Sequence, residues 1–207
     1  MMFNNDDIIK ISALVKERLS EKRFKHTLGV EKLAKHLGDI ILPDKVNELR
    51  VAALLHDIAK ELTCEEHLDL LFASNVKYTD EDLSIKPALH SIAAVPLIIR
   101  DFPDFATQDV LSAVANHTLG FPEMSVFDEI IFISDYAEEG RTYRTCVEIR
   151  RYLLDNISSK KSIEENIRAL HTASLKSIES TIESLTNRKE KINTKTIMTK
   201  KYLEKII

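Results

Sequence analysis

The sequence predicts an all-α fold, a helical bundle, on three observations. Apolar residues recur at three-to-four spacing along most of the chain. Capping signals open two of those runs, with Thr63 three residues before Glu66 and Ser125 three before Asp128. Turn punctuation is sparse: the 207 residues hold only four glycines and five prolines, too few for the closely spaced turns of a β-sandwich.

Each element follows in order. Residues 8–19 align Ile8, Ile11, Val15 and Leu19. Phe24 to Leu37 continues through Val30, Leu33 and Ala34, and Gly38 is expected to stop it. Residues 44–60 follow Pro43 and put Val46, Leu49, Ala53 and Leu54 on one face. The helix opened by Thr63 runs to about Ser74, and the polar residues 75–85 read as a loop. Pro87 to Arg100 is helical with an interruption at Pro96. Asp104 to Asn116 is another helix, Gly120-Phe121-Pro122 a turn, and Ser125 to Glu138 a further helix. Residues 145–185 read as two helices. One domain over residues 1–185 and a basic tail over 186–207 account for the chain, with no repeat or linker.

Composition narrows the function. Hydrophobic residues at 44% and charged residues at 30% are those of a globular protein with an ordinary core. No apolar run nears the roughly 20 residues of a membrane span, and Met1 to Asp7 is polar and acidic, unlike a signal peptide. Cys64 and Cys146 lie far apart in no CxxC pattern, which points to a reducing cytoplasm. Net charge is −4, and residues 186–207, with seven Lys/Arg and two Glu, carry +5 of it, leaving −9 elsewhere. An acidic body has no footprint for nucleic acid, so only the tail could meet RNA or an acidic partner. A solvated helical end is the plainer reading of that tail.

The polar residues beside apolar runs carry the chemistry. His56-Asp57 follows Val51-Ala52-Ala53-Leu54-Leu55, where an unpaired carboxylate is costly. A metal ion removes that cost by neutralising the Asp and taking a neutral imidazole nitrogen. Neighbouring helical residues diverge by about 100°, so the pair shares a centre most simply if Asp57 bridges two ions about 3.5–4 Å apart. His26, His90, His117 and Asp135 also stand beside apolar stretches. Any one of them suits a satisfied core residue; the chain order His, His-Asp, His, His, Asp is much less easily accidental.

That order resembles the HD-domain phosphohydrolase superfamily, and the two additional histidines resemble its two-metal branches. The segments RFKHTLGVEKLAKHLG, ALLHDIAKEL, ALHSIAA and ANHTLGFPEMSVFDEIIFISDYAEEGR are similar to the YqeK family over about residues 8–185. No counterpart is matched for the tail. Two departures stand out: Ser91-Ile92 replaces a Gly-Pro type sequence after the third histidine, and Glu139 replaces the proline of Glu-Pro-Gly-Arg. Neither removes a ligand; both touch the pocket wall.

The resemblance implies an HD bundle around a buried two-metal site that cleaves diadenosine tetraphosphate symmetrically to two ADP. His26, His56, Asp57 and Asp135 would hold one metal, and Asp57, His90 and His117 the second. Nitrogen and carboxylate ligands without thiolate suit iron or manganese, and the resemblance implies iron. A hydroxide formed at the metals would attack phosphorus, with His56 and Asp57 central to it. Lys60, Arg141 and Arg23 would meet the phosphates, and Thr118 and Tyr136 would contact phosphate or orient an imidazole. His36, His67 and His171 fall outside the site, and Glu138 and Glu139, which could assist proton transfer, read more simply as a solvated helix end. A homodimer stays open. The competing readings are an HD hydrolase for another nucleotide, and a nucleotide-sensing adaptor with a structural metal.

Overall fold

Two stretches of the sequence are apolar on every face, and the fold is built around them. In the computed structural model, which describes residues 3–207, both are central helices. They are α3 (Val46–Leu55), with Val51 to Leu55 all buried, and α8 (Val126–Ala137), with Ile130 to Ile133 buried. A helical stretch with no polar face must be enclosed on all sides. Accordingly α3 is wrapped by α1 (Asn5–Lys16), α2 (Glu21–Ile41), α7 (Gln108–Asn116) and α8. In turn α8 packs on α2, α7, α9 (Arg144–Asn156) and α10 (Ile163–Asn187). α4 (Cys64–Phe72) and the short α5 (Asp80–Ser84) lead to α6 (Leu89–Asp101), which packs on α4 and α7. α11 (Thr194–Ile206) closes the chain against α10. The fold is all-α, as the periodicity predicts.

Several boundaries differ from expectation, each for a local reason. α2 does not stop at Gly38 but runs to Ile41. A Cβ at Gly38 would lie 2.7 Å from Leu49 Cδ1, so this glycine serves the close approach of α2 to α3. α1 starts earlier than residue 8, because Asn4 and Asp7 form a capping box. Residues 75–85 hold α5, opened by the Thr79–Asp82 capping box. α6 passes through Pro96 as one helix; its buried neighbours Val95, Leu97 and Ile98 hold it in the core. α3 ends at Leu55 rather than residue 60, and residues 103–105 form a separate 3₁₀ turn ahead of α7.

The basic segment 186–207 is mostly α11. Leu203, Thr196 and Thr199 on it are buried. Among the described residues no helix is long and apolar enough to cross a membrane.

Candidate metal centre

Five helices each deliver part of one polar cluster. His26 stands within α2, and Asp135 comes two residues before the end of α8. His56 caps the C-terminus of α3, where tight i to i+3 bonds take over: Ile58 N to Leu55 O at 3.1 Å and Lys60 N to Asp57 O at 2.9 Å. His117 likewise caps α7, and His90 is the second residue of α6. The apolar runs beside these residues bury them: His56, Asp57, His90 and His117 are each 2% exposed or less.

The four imidazoles share one arrangement. Nδ1 of His56 donates to Ala53 O at 2.7 Å, that of His90 to Pro87 O at 2.9 Å, and that of His117 to Val114 O at 2.7 Å. Nδ1 of His26 faces Glu138 Oε1 at 3.1 Å. Carbonyl and carboxylate oxygens only accept, so these partners assign the proton to Nδ1 and leave Nε2 as a lone pair. All four Nε2 atoms point at carboxylate oxygens. Asp57 Oδ2 lies 3.7 Å from His26 and 3.4 Å from His56, whereas Asp57 Oδ1 lies 3.2 Å from His90 and 3.6 Å from His117. Asp135 Oδ1 lies 2.9 Å from His26 Nε2 and 3.8 Å from His56 Nε2.

Lone pairs aimed at lone pairs repel unless a cation stands between them. His90 and His117 bring their Nε2 atoms to 3.1 Å of one another, and Nε2 of His26 and of His56 are buried without a hydrogen-bond partner. Ligand atoms held by one ion at about 2.0–2.2 Å lie about 3.0–3.5 Å apart, and the contacts here, from 2.9 to 3.8 Å, bracket that spacing. Three overlapping sets, His26/His56/Asp57, His56/His117/Asp135 and Asp57/His90/His117, each bring one ligand atom per residue within 4.8 Å of the others. The donor set fits divalent metal.

The electrostatics agree. Burial would raise the Asp57 carboxyl, but its interactions with the surrounding imidazoles of His56, His117 and His90 hold it well below the usual carboxylate range. Burial of Asp135 is likewise outweighed, by His26, His56 and Arg141. Burial pushes His90 down to about 4 against the pull of Asp57, so it is neutral at pH 7, the form that ligates metal. Burial also lowers Lys60, opposed by Asp57 and Asp135.

Comparison with known proteins gives this cluster a family. The HD domain model matches residues 23–140, which include all six residues of the cluster. The chain belongs to the HD-domain family. It is 32% identical over 143 residues to a symmetrical bis(5'-nucleosyl)-tetraphosphatase of Halalkalibacterium halodurans, covering 68% of this chain and 74% of that one. It is 30% identical over 162 residues to the enzyme of the same name from Staphylococcus aureus, covering 77% and 80%. The crystal structure of a predicted HD superfamily hydrolase involved in NAD metabolism, from Clostridium acetobutylicum, superposes with a TM-score of 0.80 at 30% identity over 99% of both chains. The curated relatives are of the kind the motif resemblance points to. The structural match also extends over the basic tail, for which the sequence showed no counterpart.

Three cations border the cluster. Arg23 Nη1 lies 2.7 Å from Asp57 Oδ2, Arg141 Nη2 lies 2.6 Å from Asp135 Oδ1, and Lys60 Nζ lies 3.1 Å from His90 Nε2. Arg23 and Arg141 line a groove of about 620 Å³ with Lys22, Lys25 and His26. Thr118 Oγ1 is 3.2 Å from His90 Nε2 and 3.1 Å from His117 Nε2. Tyr136 lines a small cavity of about 90 Å³ with Lys60, His117, Thr118 and Asp135, but its hydroxyl donates to Thr145 and not to an imidazole.

The structure corrects Glu138. It is buried rather than solvated, faces His26 Nδ1 and accepts from Gly140 N at 2.5 Å. Glu139 is exposed and pairs with Lys32. Gly29 makes room for Glu138, since a Cβ there would collide with Oε2. Arg150, also unforeseen, donates to the carbonyls of Ala137, Glu138 and Arg141 and so holds the turn behind the site. The sequence offers no signal that separates Glu138 from Glu139, since both are acids just ahead of Gly140. His67 is buried, not on the surface, and bonds Ala59 O at 2.7 Å; with His36 exposed and His171 paired to Glu129, all three stand outside the cluster.

Proposed function

We propose that this HD domain hydrolyses diadenosine tetraphosphate symmetrically to two ADP. The observation that carries the reading is Asp57. One of its oxygens faces His26 and His56, the other His90 and His117, beside a groove lined by cations. We assign His26, His56, Asp57 and Asp135 to one divalent metal and Asp57, His90 and His117 to a second, with iron the ion implied by the resemblance. Metal ions bound there supply Lewis-acid polarisation of phosphoryl oxygens and a water activated at neutral pH. The substrate presents its chain of four phosphates to Arg23, Lys60, Arg141 and the lysines of the groove. Those cations meet the charge that grows on the phosphoryl oxygens as the central P–O–P linkage breaks. Water adds its oxygen to one of the two central phosphorus atoms. The other half departs with the bridging oxygen, so both products are ADP. Thr118 lies where its hydroxyl can donate to a phosphoryl oxygen beside His90 and His117. The unpaired cysteines, exposed Cys64 and buried Cys146, support a reducing compartment.

Anion-exchange chromatography of a reaction with diadenosine tetraphosphate tests the reading. ADP is expected as the sole product, abolished by His56→Ala. ATP plus AMP would overturn symmetrical cleavage. Inertness towards this substrate, with turnover of a mononucleotide, would overturn the substrate assignment.

A further inference from the structure

The tail is tied to two places, and both lead to the same half of the cluster. Ahead of α11, Lys191 Nζ donates to Ser84 Oγ at 3.1 Å. At its start, Thr194 donates through N and Oγ1 to Glu81 Oε1, both at 3.0 Å. Lys195 Nζ meets Asp82 Oδ1 at 2.7 Å, and Asp82 is only 2% exposed. These acceptors are in α5, whose end leads through a single 3₁₀ turn at 86–88 to Pro87 O, the acceptor for His90, and then to His90 itself. One residue further on, Thr196 Oγ1 donates to Leu119 O at 2.9 Å. Thr199 packs on Gly120, which has φ +72°, so that a Cβ there would come within 3.0 Å of Thr199 Cγ2. Leu119 and Gly120 directly follow His117 and Thr118. Thr196 also lines the small cavity with Lys60, His117, Thr118 and Asp135. Among the described residues, the side-chain bonds of this segment beyond itself and α10 all run to these two stretches.

We infer that α11 and the turn before it form a positioning element for His90 and His117, holding the two stretches at the spacing the second metal requires. The inference rests on the assignment of those histidines as ligands. His26 sits within the 21-residue α2, and His56 ends α3, which α1, α2, α7 and α8 enclose. His90 and His117 lie where a helix begins and where one gives way to a turn, and these are the stretches the tail clamps. The basic charge of the segment is accounted for in part by the acidic α5, so no external nucleic acid is needed to explain it.

Full-length protein stripped of metal and titrated with Mn²⁺ in a calorimeter tests this in three variants. Thr196→Val removes one tie, Lys195→Met the other, and Lys200→Met, on the same helix but paired to Glu179 of α10, is the control. The wild type is expected to take up two ions. Thr196→Val and Lys195→Met should each weaken the weaker site by about 10–100-fold, the usual loss when a group orienting a ligand is removed, with the tighter site unchanged. Amide exchange in the metal-free protein should quicken at residues 118–120 in Thr196→Val and at 82–88 in Lys195→Met. Lys200→Met should match the wild type in both readouts. Two-ion binding by the wild type with unchanged affinities and exchange in both tie variants overturns the inference alone. A wild type that binds one ion overturns the ligand assignment and the inference with it.

Discussion

Asp57 and Glu138 show how differently two buried carboxylates act. Asp57 offers one oxygen to each histidine pair, so Asp57→Asn places an amide where one pair needs an acceptor. Metal content should fall by at least one ion per chain, and kcat by more than ~100-fold, beyond the effect of losing an orienting group alone. Elemental analysis alongside steady-state rates checks both; full metal content would sink the bridging role. Glu138 acts through His26. Glu138→Ala leaves Nδ1 without its acceptor, and Gly29→Ala pushes the carboxylate off it. Each should weaken metal affinity by about 10–100-fold while kcat at saturating metal recovers, a split that a purely structural role would not give. The six cluster residues were legible in the sequence because each polar residue interrupts or ends an apolar run. Glu138 was not, because Glu138 and Glu139 are chemically alike and only the turn after α8 buries one and exposes the other. Tyr136 was legible as a neighbour of Asp135, but which way its hydroxyl turns depends on Thr145, nine residues away.

At the level of helices, the periodicity located nearly every element and misjudged ends where tertiary contact overrides a local signal. Gly38 reads as a stop because glycine so often terminates a helix, yet it lies inside α2 against the fully buried Leu49. Gly38→Ala therefore sets two terms against each other. Helix propensity favours alanine by about 1 kcal/mol. Overpacking a filled interface costs about 1–3 kcal/mol. The second wins, and the urea midpoint should fall by an amount worth about 1 kcal/mol. α5 escaped notice because five residues are too few to show a period, and its Thr79–Asp82 box opens a polar stretch rather than an apolar run. The end of α6 makes a pH-dependent tie to the connector after α1. Hydrogen bonds from Arg100 hold the Asp101 carboxyl down to about 2 against mild burial, with Arg18 at 2.5 Å assisting. The unfolded carboxyl titrates near 3.9, so the tie is fully present above about pH 4 and is lost as pH falls towards 2. With both arginines substantially exposed it contributes about 1 kcal/mol. Asp101→Asn should be less stable than wild type at pH 6, with the difference shrinking as pH falls through about 2, in urea titrations at each pH; a constant difference across that range would remove the titration argument.

The whole molecule assembles ligands from residues 26 to 135: α2, α7 and α8 pack around α3, and α6 joins them through α7. An unfolded chain therefore offers separated histidines and aspartates, while the fold gathers six of them within a few ångströms. Any ion that binds the gathered set and not the scattered one stabilises the fold by mass action, by about 2.7 kcal/mol per site at a hundredfold excess over its dissociation constant. For a chain of this size each kcal/mol moves the melting midpoint by about 2–4 °C, so one filled site raises it by about 5–10 °C and two by more. Charge gives the same sign. The body outside the tail carries −9, which includes the two cluster carboxylates held ionised beside lone pairs, so divalent cations relieve repulsion as well as supplying bonds. Calorimetric scans of stripped protein with increasing Mn²⁺ should show the midpoint climbing with concentration and reversing on chelation. In Asp57→Asn the climb should be largely lost, because one change affects both halves of the cluster. In Thr196→Val the first part of the climb should persist and the later part move to higher concentration, because only the half that the tail holds is loosened. A midpoint indifferent to Mn²⁺ in the wild type would mean that the converging lone pairs are reconciled by protons rather than by metal.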